Sequence, residues 1–126
     1  MNSMFTSIKT SKENKEVITR LTRQHNLGAE NVIARIALAY SLAQEECLDL
    51  KDLQDSGGKE YSKSVLFGEN LEIYLGMVCL KYGLYRGDKD LHRYVKLHVD
   101  RGLFVINNKI QKEDNFNGTE FVLQLI

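Results

Sequence analysis

The chain has 126 residues, with 17 acidic and 17 basic side chains and a formal net charge of zero. This length supplies one hydrophobic core, so we expect a single domain over residues 1–126. A neutral balance excludes attraction to nucleic acid through overall charge and leaves only a local patch for that role. The polar N-terminus and the lack of an apolar run of about 20 residues predict a cytoplasmic protein with no membrane contact.

The first part of the chain predicts a strand followed by two helices. Residues 4–9 alternate in polarity and include a β-branched residue, which is typical of a short strand. Residues 10–13 match a capping box, in which a hydroxyl accepts from a helical amide and Glu13 reaches back. A first helix therefore begins here, and a second is predicted over about 29–47.

The second predicted helix is apolar on almost every side. A helix of this kind must be buried nearly all round, and a small protomer has difficulty covering it. We therefore expect a homo-oligomer whose interface uses this helix. The predicted interface residues are Val32, Ile33, Ile36, Ala37 and Tyr40.

The remaining pattern predicts further helices and strands after an acidic connector. The predicted helices cover about 70–81 and 88–101, with Gly102 ending the second of them. The candidate strands are 61–67, 103–106 and 121–126. The prediction is a mainly helical α+β fold: a ribbon-helix-helix-like N-terminal half, of one short strand and two helices, followed by two further helices and short strands.

The sequence offers no constellation of catalytic residues. His92 and His98 are six residues apart, which does not place them on one helical face as a metal pair requires. Cys47 and Cys79 form no CxxC pair, so we expect buried free thiols rather than a disulfide or zinc site. No nucleotide-binding or nucleophile motif is present in the sequence. We expect a protein that is not an enzyme, with no metal and no cofactor.

Basic residues are concentrated near the N-terminus, where they suit contacts with phosphate. On a helix, Lys12 is a neighbour of Lys15, and Arg20 is a neighbour of Arg23. Long cationic side chains in such a cluster can neutralise DNA phosphates, although a solvated helix face fits the pattern equally well. The predicted DNA-binding residues are Lys9, Lys12, Lys15, Arg20 and Arg23.

The order strand, helix, helix also resembles the ribbon-helix-helix DNA binders, in which two chains pair their first strands. This leaves two alternatives open: a transcription regulator or antitoxin that reads an operator, and a scaffold that binds only proteins. A regulator would prefer its operator strongly over other DNA, whereas a scaffold would bind no DNA at low salt.

Several segments in order resemble the DndE family of DNA sulfur-modification proteins. The resemblance covers about residues 8–106 and is carried by 11–13, 31–42, 66–69 and 98–102. It implies a tetrameric subunit that binds duplex DNA, preferring nicked duplex, through basic surface residues. It also implies partners similar to DndC, an iron–sulfur protein that uses ATP, and DndD, an ATPase, which together place sulfur on DNA phosphate.

Overall fold

The protein is described by a computed structural model that covers residues 5–24 and 28–111. The described part is mainly helical, with a small two-stranded sheet, which confirms the predicted fold class. The strands are β1 (Ser7–Lys9) and β2 (Glu60–Ser62), and the helices are α1 (Lys12–Gln24), α2 (Glu30–Ala43), α3 (Lys63–Phe67), α4 (Leu71–Tyr82) and α5 (Leu91–Gln111).

The two strands pair antiparallel within the chain, with Ile8 opposite Tyr61. The order strand, helix, helix is confirmed, since β1 is followed by α1 and α2. A ribbon-helix-helix protein pairs its first strand with that of a second chain. In this chain β1 pairs with β2, so the first strand is hydrogen-bonded to the middle of its own chain instead of to a second chain.

Helices α2 and α5 form the centre of the fold, and Gly102 lies where they cross. A Cβ atom on Gly102 would come within 2.1 Å of the Ala37 carbonyl oxygen, so only glycine permits this approach. The prediction that Gly102 ends a helix is wrong, because α5 continues to Gln111. The predicted strand 103–106 is wrong for the same reason: these residues lie inside α5, where Leu103 and Ile106 enter the core.

Other predicted boundaries also shift. The strand predicted over 61–67 stops at Ser62, whose Oγ accepts from the Val65 amide at 3.3 Å and starts α3. Helix α2 ends at Ala43 rather than near Cys47, because Gln44 is extended and its amide donates to Ser41 O. The helix predicted over 70–81 is confirmed as α4. The strand predicted over 121–126 lies outside the described residues.

The two cysteines are free, as expected, but Cys47 is exposed rather than buried, and Cys79 is half-buried. Burial raises the pKa of the Cys79 thiol. Across residues 5–24 and 28–111, no helix has the length and apolar character needed to span a bilayer.

Candidate nucleic-acid interface

The N-terminus of α1 is held by side chains from three parts of the chain. Ser11 Oγ accepts from the Asn14 amide at 3.1 Å, so the capping hydroxyl is Ser11, one residue later than the Thr10 of the predicted capping box. The Ser11 amide donates to Asp100 Oδ1 at 3.1 Å, so the acidic half comes from α5 and not from Glu13. Asp55 adds a second carboxylate, which accepts from the Lys12 amide at 2.9 Å.

A buried ion pair in α5 fixes this corner. Lys96 Nζ lies 2.8 Å from Asp100 Oδ2, and it also donates to the carbonyl oxygens of Lys9 and Asp55 at 2.8 Å. The Asn14 side chain donates to Asp100 Oδ1 at 2.8 Å. Both charges are buried and hydrogen-bonded, the condition under which a buried pair is tolerated. The pair therefore connects α5 to β1, α1 and the connector before β2.

The four basic residues predicted on the first helix share one face of α1. With Glu16, Thr19 and Gln24, and with Gly57 from the connector, they line a shallow groove of about 440 Å³. Lys9 lies apart on β1, with its side chain exposed. The structure therefore brings together Lys12, Lys15, Arg20 and Arg23, which we call the α1 basic face.

The α1 basic face combines mobile and fixed cations. Lys12, Lys15 and Arg23 are exposed, so their long side chains can follow a phosphate backbone. Arg20 is half-buried and donates through Nη2 to Asn107 Oδ1 of α5, which holds its guanidinium in place. Amide hydrogen bonds from Lys12 and Gly57 lower the pKa of Asp55, so this carboxylate keeps its negative charge next to those two groove residues.

The predicted interface residues of α2 divide between core and surface. Ile33 and Ala37 are buried inside the protomer, because α5 covers that side of the helix. Val32 is 37% exposed, and Ile36 and Tyr40 are half-buried. The surface that remains for another chain is therefore Val32, Ile36 and Tyr40, with Lys109 Nζ 5.1 Å from the Tyr40 ring centroid.

His98 lies in a buried chain of hydrogen bonds rather than at an accessible site. Its Nδ1 is 2.7 Å from Ser41 Oγ, and its Nε2 is 2.6 Å from the Tyr82 hydroxyl, which also accepts from the Leu48 amide. Burial, followed by the nearby Lys81 and Arg101, lowers the pKa of His98 to about 4. Among the described residues, no group of three or more His, Cys, Asp or Glu side chains could hold a metal ion.

The segments that carry the family resemblance make contacts within the fold. In the segment 98–102, Arg101 forms an ion pair with Glu46 at 2.7 Å. His98, Asp100 and Gly102 of the same segment make the contacts described above. Arg35 donates to the carbonyl oxygens of Leu66 at 2.7 Å and Val65 at 3.0 Å. Sequence reasoning found these segments but did not predict their contacts, because each one joins positions that are far apart in sequence.

Comparison with known proteins is consistent with this architecture. The chain is similar in fold to the crystal structure of DndE from Escherichia coli B7A, which is involved in DNA phosphorothioation modification. The two are 18% identical with a TM-score of 0.67, over 82% of this chain and 98% of that one. It is similar also to a DndE variant with two glycine-to-lysine substitutions, at 19% identity and a TM-score of 0.66, over 81% and 97% of the two chains.

No curated protein matches the chain. The family model for the DNA sulphur modification protein DndE matches residues 7–114, which is most of the sequence. The match covers the strands and α-helices of residues 5–24 and 28–111, and with them the α1 basic face. The chain therefore belongs to the DndE family of DNA sulphur modification proteins.

Proposed function

We propose that the chain is a non-catalytic subunit of a DNA phosphorothioation system and binds the backbone of duplex DNA through the α1 basic face and Lys9. The observation that supports this proposal is the alignment of Lys12, Lys15, Arg20 and Arg23 along one groove. Cations at successive turns of a helix can contact successive phosphates, and each contact releases counterions from the DNA. Membership of the DndE family supports DNA as the ligand.

A rigid attachment of α1 supports the same proposal. The Asp100 network holds the start of the helix, and Arg20 contacts α5 further along. Because α1 is already fixed in the fold, binding orders the cationic side chains but costs no further backbone entropy. Backbone contacts of this kind set position and carry no sequence information, so we expect little sequence preference.

The chain acts in this proposal as a homo-oligomer, a tetramer as in the family resemblance, within the cytoplasm. The outer surface of α2, at Val32, Ile36 and Tyr40, contacts another copy. Symmetry copies the basic face, so that several modest patches act on one DNA molecule. In this proposal the sulfur chemistry belongs to partner proteins similar to DndC and DndD, as the family resemblance implies.

The test is fluorescence anisotropy with intact duplex, nicked duplex and single-stranded DNA of unrelated sequence, over a range of salt concentrations. We expect binding to duplex that falls steeply with salt and does not depend on sequence, with nicked duplex bound more tightly. A preference of thousands-fold for one sequence would instead identify a regulator that reads an operator. Absence of binding at low salt would overturn the DNA role and favour a scaffold that binds proteins alone.

A further inference from the structure

A second groove lies between α5 and residues 45–55, the connector that follows α2. Its apolar lining consists of Leu48, Leu97 and Phe104, and its polar lining includes Asp52 and Arg101. Phe104 is 52% exposed, and aromatic side chains left in water at such a place are typical of contact surfaces. The groove has a volume of about 280 Å³, which fits one or two side chains of a protein segment. We call it the α5 groove.

The connector wall of the α5 groove is held in place by hydrogen bonds. The Leu48 amide donates to the Tyr82 hydroxyl of α4 at 2.8 Å. Asp49 Oδ1 accepts from the Lys51 amide at 2.9 Å and begins a single 3-10 turn. The other wall is the helix α5 itself. Because both walls are formed before binding, a ligand does not have to order the backbone of the groove.

The connector gives the α5 groove an acidic rim. Residues 45–55 contain five acidic side chains and a single basic one, Lys51. The acidic residues are all exposed, and they are Glu45, Glu46, Asp49, Asp52 and Asp55. Arg101 pairs with Glu46 at 2.7 Å, which leaves the rim with an excess of negative charge. The rim therefore favours a cationic ligand.

Charge and apolar character together select the kind of ligand. DNA phosphates have the same sign as the acidic rim, and so do residues 112–126 of this chain, with three acidic side chains and one basic. The α1 basic face of a second copy has the opposite sign, but its side chains are polar and do not fill an apolar groove. A protein segment with basic residues on both sides of a large apolar one complements both features.

We propose that the α5 groove binds a basic segment of a partner protein, with an apolar side chain of that segment packed against Phe104 and its basic side chains paired with the acidic rim. The inference rests on the proposed function, in which the chain works with other proteins of a DNA phosphorothioation system. The α5 groove shares no lining residue with the α1 basic face. Partner protein and DNA can therefore be bound at the same time.

Biolayer interferometry with the full chain and the DndC-like and DndD-like proteins of the same system tests the proposal. We expect Phe104→Ser, which removes the aromatic wall, to raise the dissociation constant for one of these partners at least about 30-fold. Asp52→Lys, which reverses a charge of the rim, should raise it about tenfold, and less at high salt. Both residues are exposed, and circular dichroism shows whether each variant keeps its helices.

Matched controls place the same changes elsewhere on the surface. Leu80→Ser removes an exposed apolar side chain from α4, and Glu69→Lys reverses an exposed charge. Each control should change the dissociation constant less than about twofold. Folded Phe104→Ser and Asp52→Lys variants that bind both partners as tightly as wild type would overturn the proposal.

Peptides identify the segment that occupies the groove. Overlapping 15-residue peptides that cover the sequence of the bound partner are titrated into the full chain. We expect the tightest peptide to be net basic, and replacement of its large apolar residue by serine to weaken it at least about tenfold. A tightest peptide that is acidic, or one that binds Phe104→Ser as well as wild type, would contradict the assignment.

Two measurements exclude the other occupants. Light scattering should give Phe104→Ser the mass of wild type, and a lower mass would show that a second copy fills the groove. Phe121→Ser combined with Leu123→Ser should leave partner affinity unchanged. Tighter binding by that variant would show that residues 112–126 compete for the groove, which would overturn the proposal.

DNA titrations of the same samples separate this inference from the proposed DNA role. Phe104→Ser should bind duplex DNA as wild type does while losing the partner. A wild-type chain that binds DNA but neither partner protein would refute the α5 groove and leave the DNA role standing. Partner binding that depends on Phe104, without DNA binding by wild type, would support the α5 groove and refute the DNA role.

Discussion

The Asp100 carboxylate accepts hydrogen bonds from the Ser11 amide, the Asn14 side chain and the Lys96 ammonium group. It lies deep in the fold, and Lys96 beside it is buried as well. Taking two charges out of water is costly, and hydrogen bonds to both charges offset that cost. Asp100 thus links the stability of the fold to the position of the α1 basic face.

We predict that Asp100→Ala lowers the free energy of unfolding by about 3 kcal/mol or more, because it leaves the Lys96 charge buried without its partner. Chemical denaturation measures this change, and Asp52→Ala, at an exposed site, is the control. Lys96→Met combined with Asp100→Leu should recover part of the loss, since no buried charge remains. An Asp100→Ala variant as stable as wild type would show that the network does not hold the fold.

His98 predicts a dependence of stability on pH. Its folded pKa of about 4 lies below the ordinary value, so the unfolded chain binds a proton first as pH falls. The stability that neutral His98 contributes is therefore complete above about pH 6.5 and is lost as pH falls toward 4. We expect a loss of roughly 3 kcal/mol over this window that is absent in His98→Gln. Equal pH profiles for the two proteins would contradict this assignment.

At the scale of elements, the crossing of α2 and α5 depends on the absence of a side chain at Gly102. Alanine favours a helix over glycine by about 1 kcal/mol, so propensity alone predicts that Gly102→Ala is stabilising. The contact with the Ala37 carbonyl oxygen outweighs this gain, because the added Cβ would force the helices apart. We expect a net loss of about 2 kcal/mol in thermal unfolding. Asn108→Ala on the same helix should change stability by less than about 0.5 kcal/mol.

Local sequence signals were enough for α1 and α4 but not for α5. The capping hydroxyl of Ser11 and the apolar period of residues 70–81 depend on near neighbours, so these elements were predicted. Gly102 was misread because its role depends on Ala37, 65 positions away. Residues 63–67 were read as a continuation of the strand because β-branched and aromatic residues there concealed the role of Ser62 as a helix cap. The first error arises because a tertiary contact decides the conformation, and the second because two local signals, strand pattern and helix cap, compete at the same residues.

At the scale of the whole molecule, the parts of the candidate site that depend on local sequence were predicted, and the parts that depend on tertiary contacts were not. Four of the five basic residues lie together because the period of a single helix aligns them. The α2 surface was only partly predictable, because α5 is longer than predicted and its packing on α2 buries Ile33 and Ala37. The Lys96–Asp100 pair has the spacing of an ordinary exposed helical pair, so nothing local indicates that it is buried.

The molecule as a whole separates two roles. The Asp100 network and the α2–α5 crossing build a rigid interior, and the α1 basic face is directed to solvent. In the part of the chain that the structure describes, Ile73, Met77 and Leu80 of α4 are exposed. With zero net charge, the chain has no general attraction for DNA, so in the proposed function the α1 basic face supplies it. Neutralising that face should therefore remove most of the binding.

The first measurement is the salt dependence of duplex binding for Lys15→Gln combined with Arg23→Gln. Both residues lie on the α1 basic face and are exposed, so the fold should tolerate the change. The control combines Lys51→Gln with Lys89→Gln, which removes the same charge from exposed positions elsewhere. We predict weaker binding, and a plot of log affinity against log salt that flattens by about one unit per lost phosphate contact, in the first variant only. Wild-type affinity at every salt concentration would contradict the assignment of DNA binding to α1.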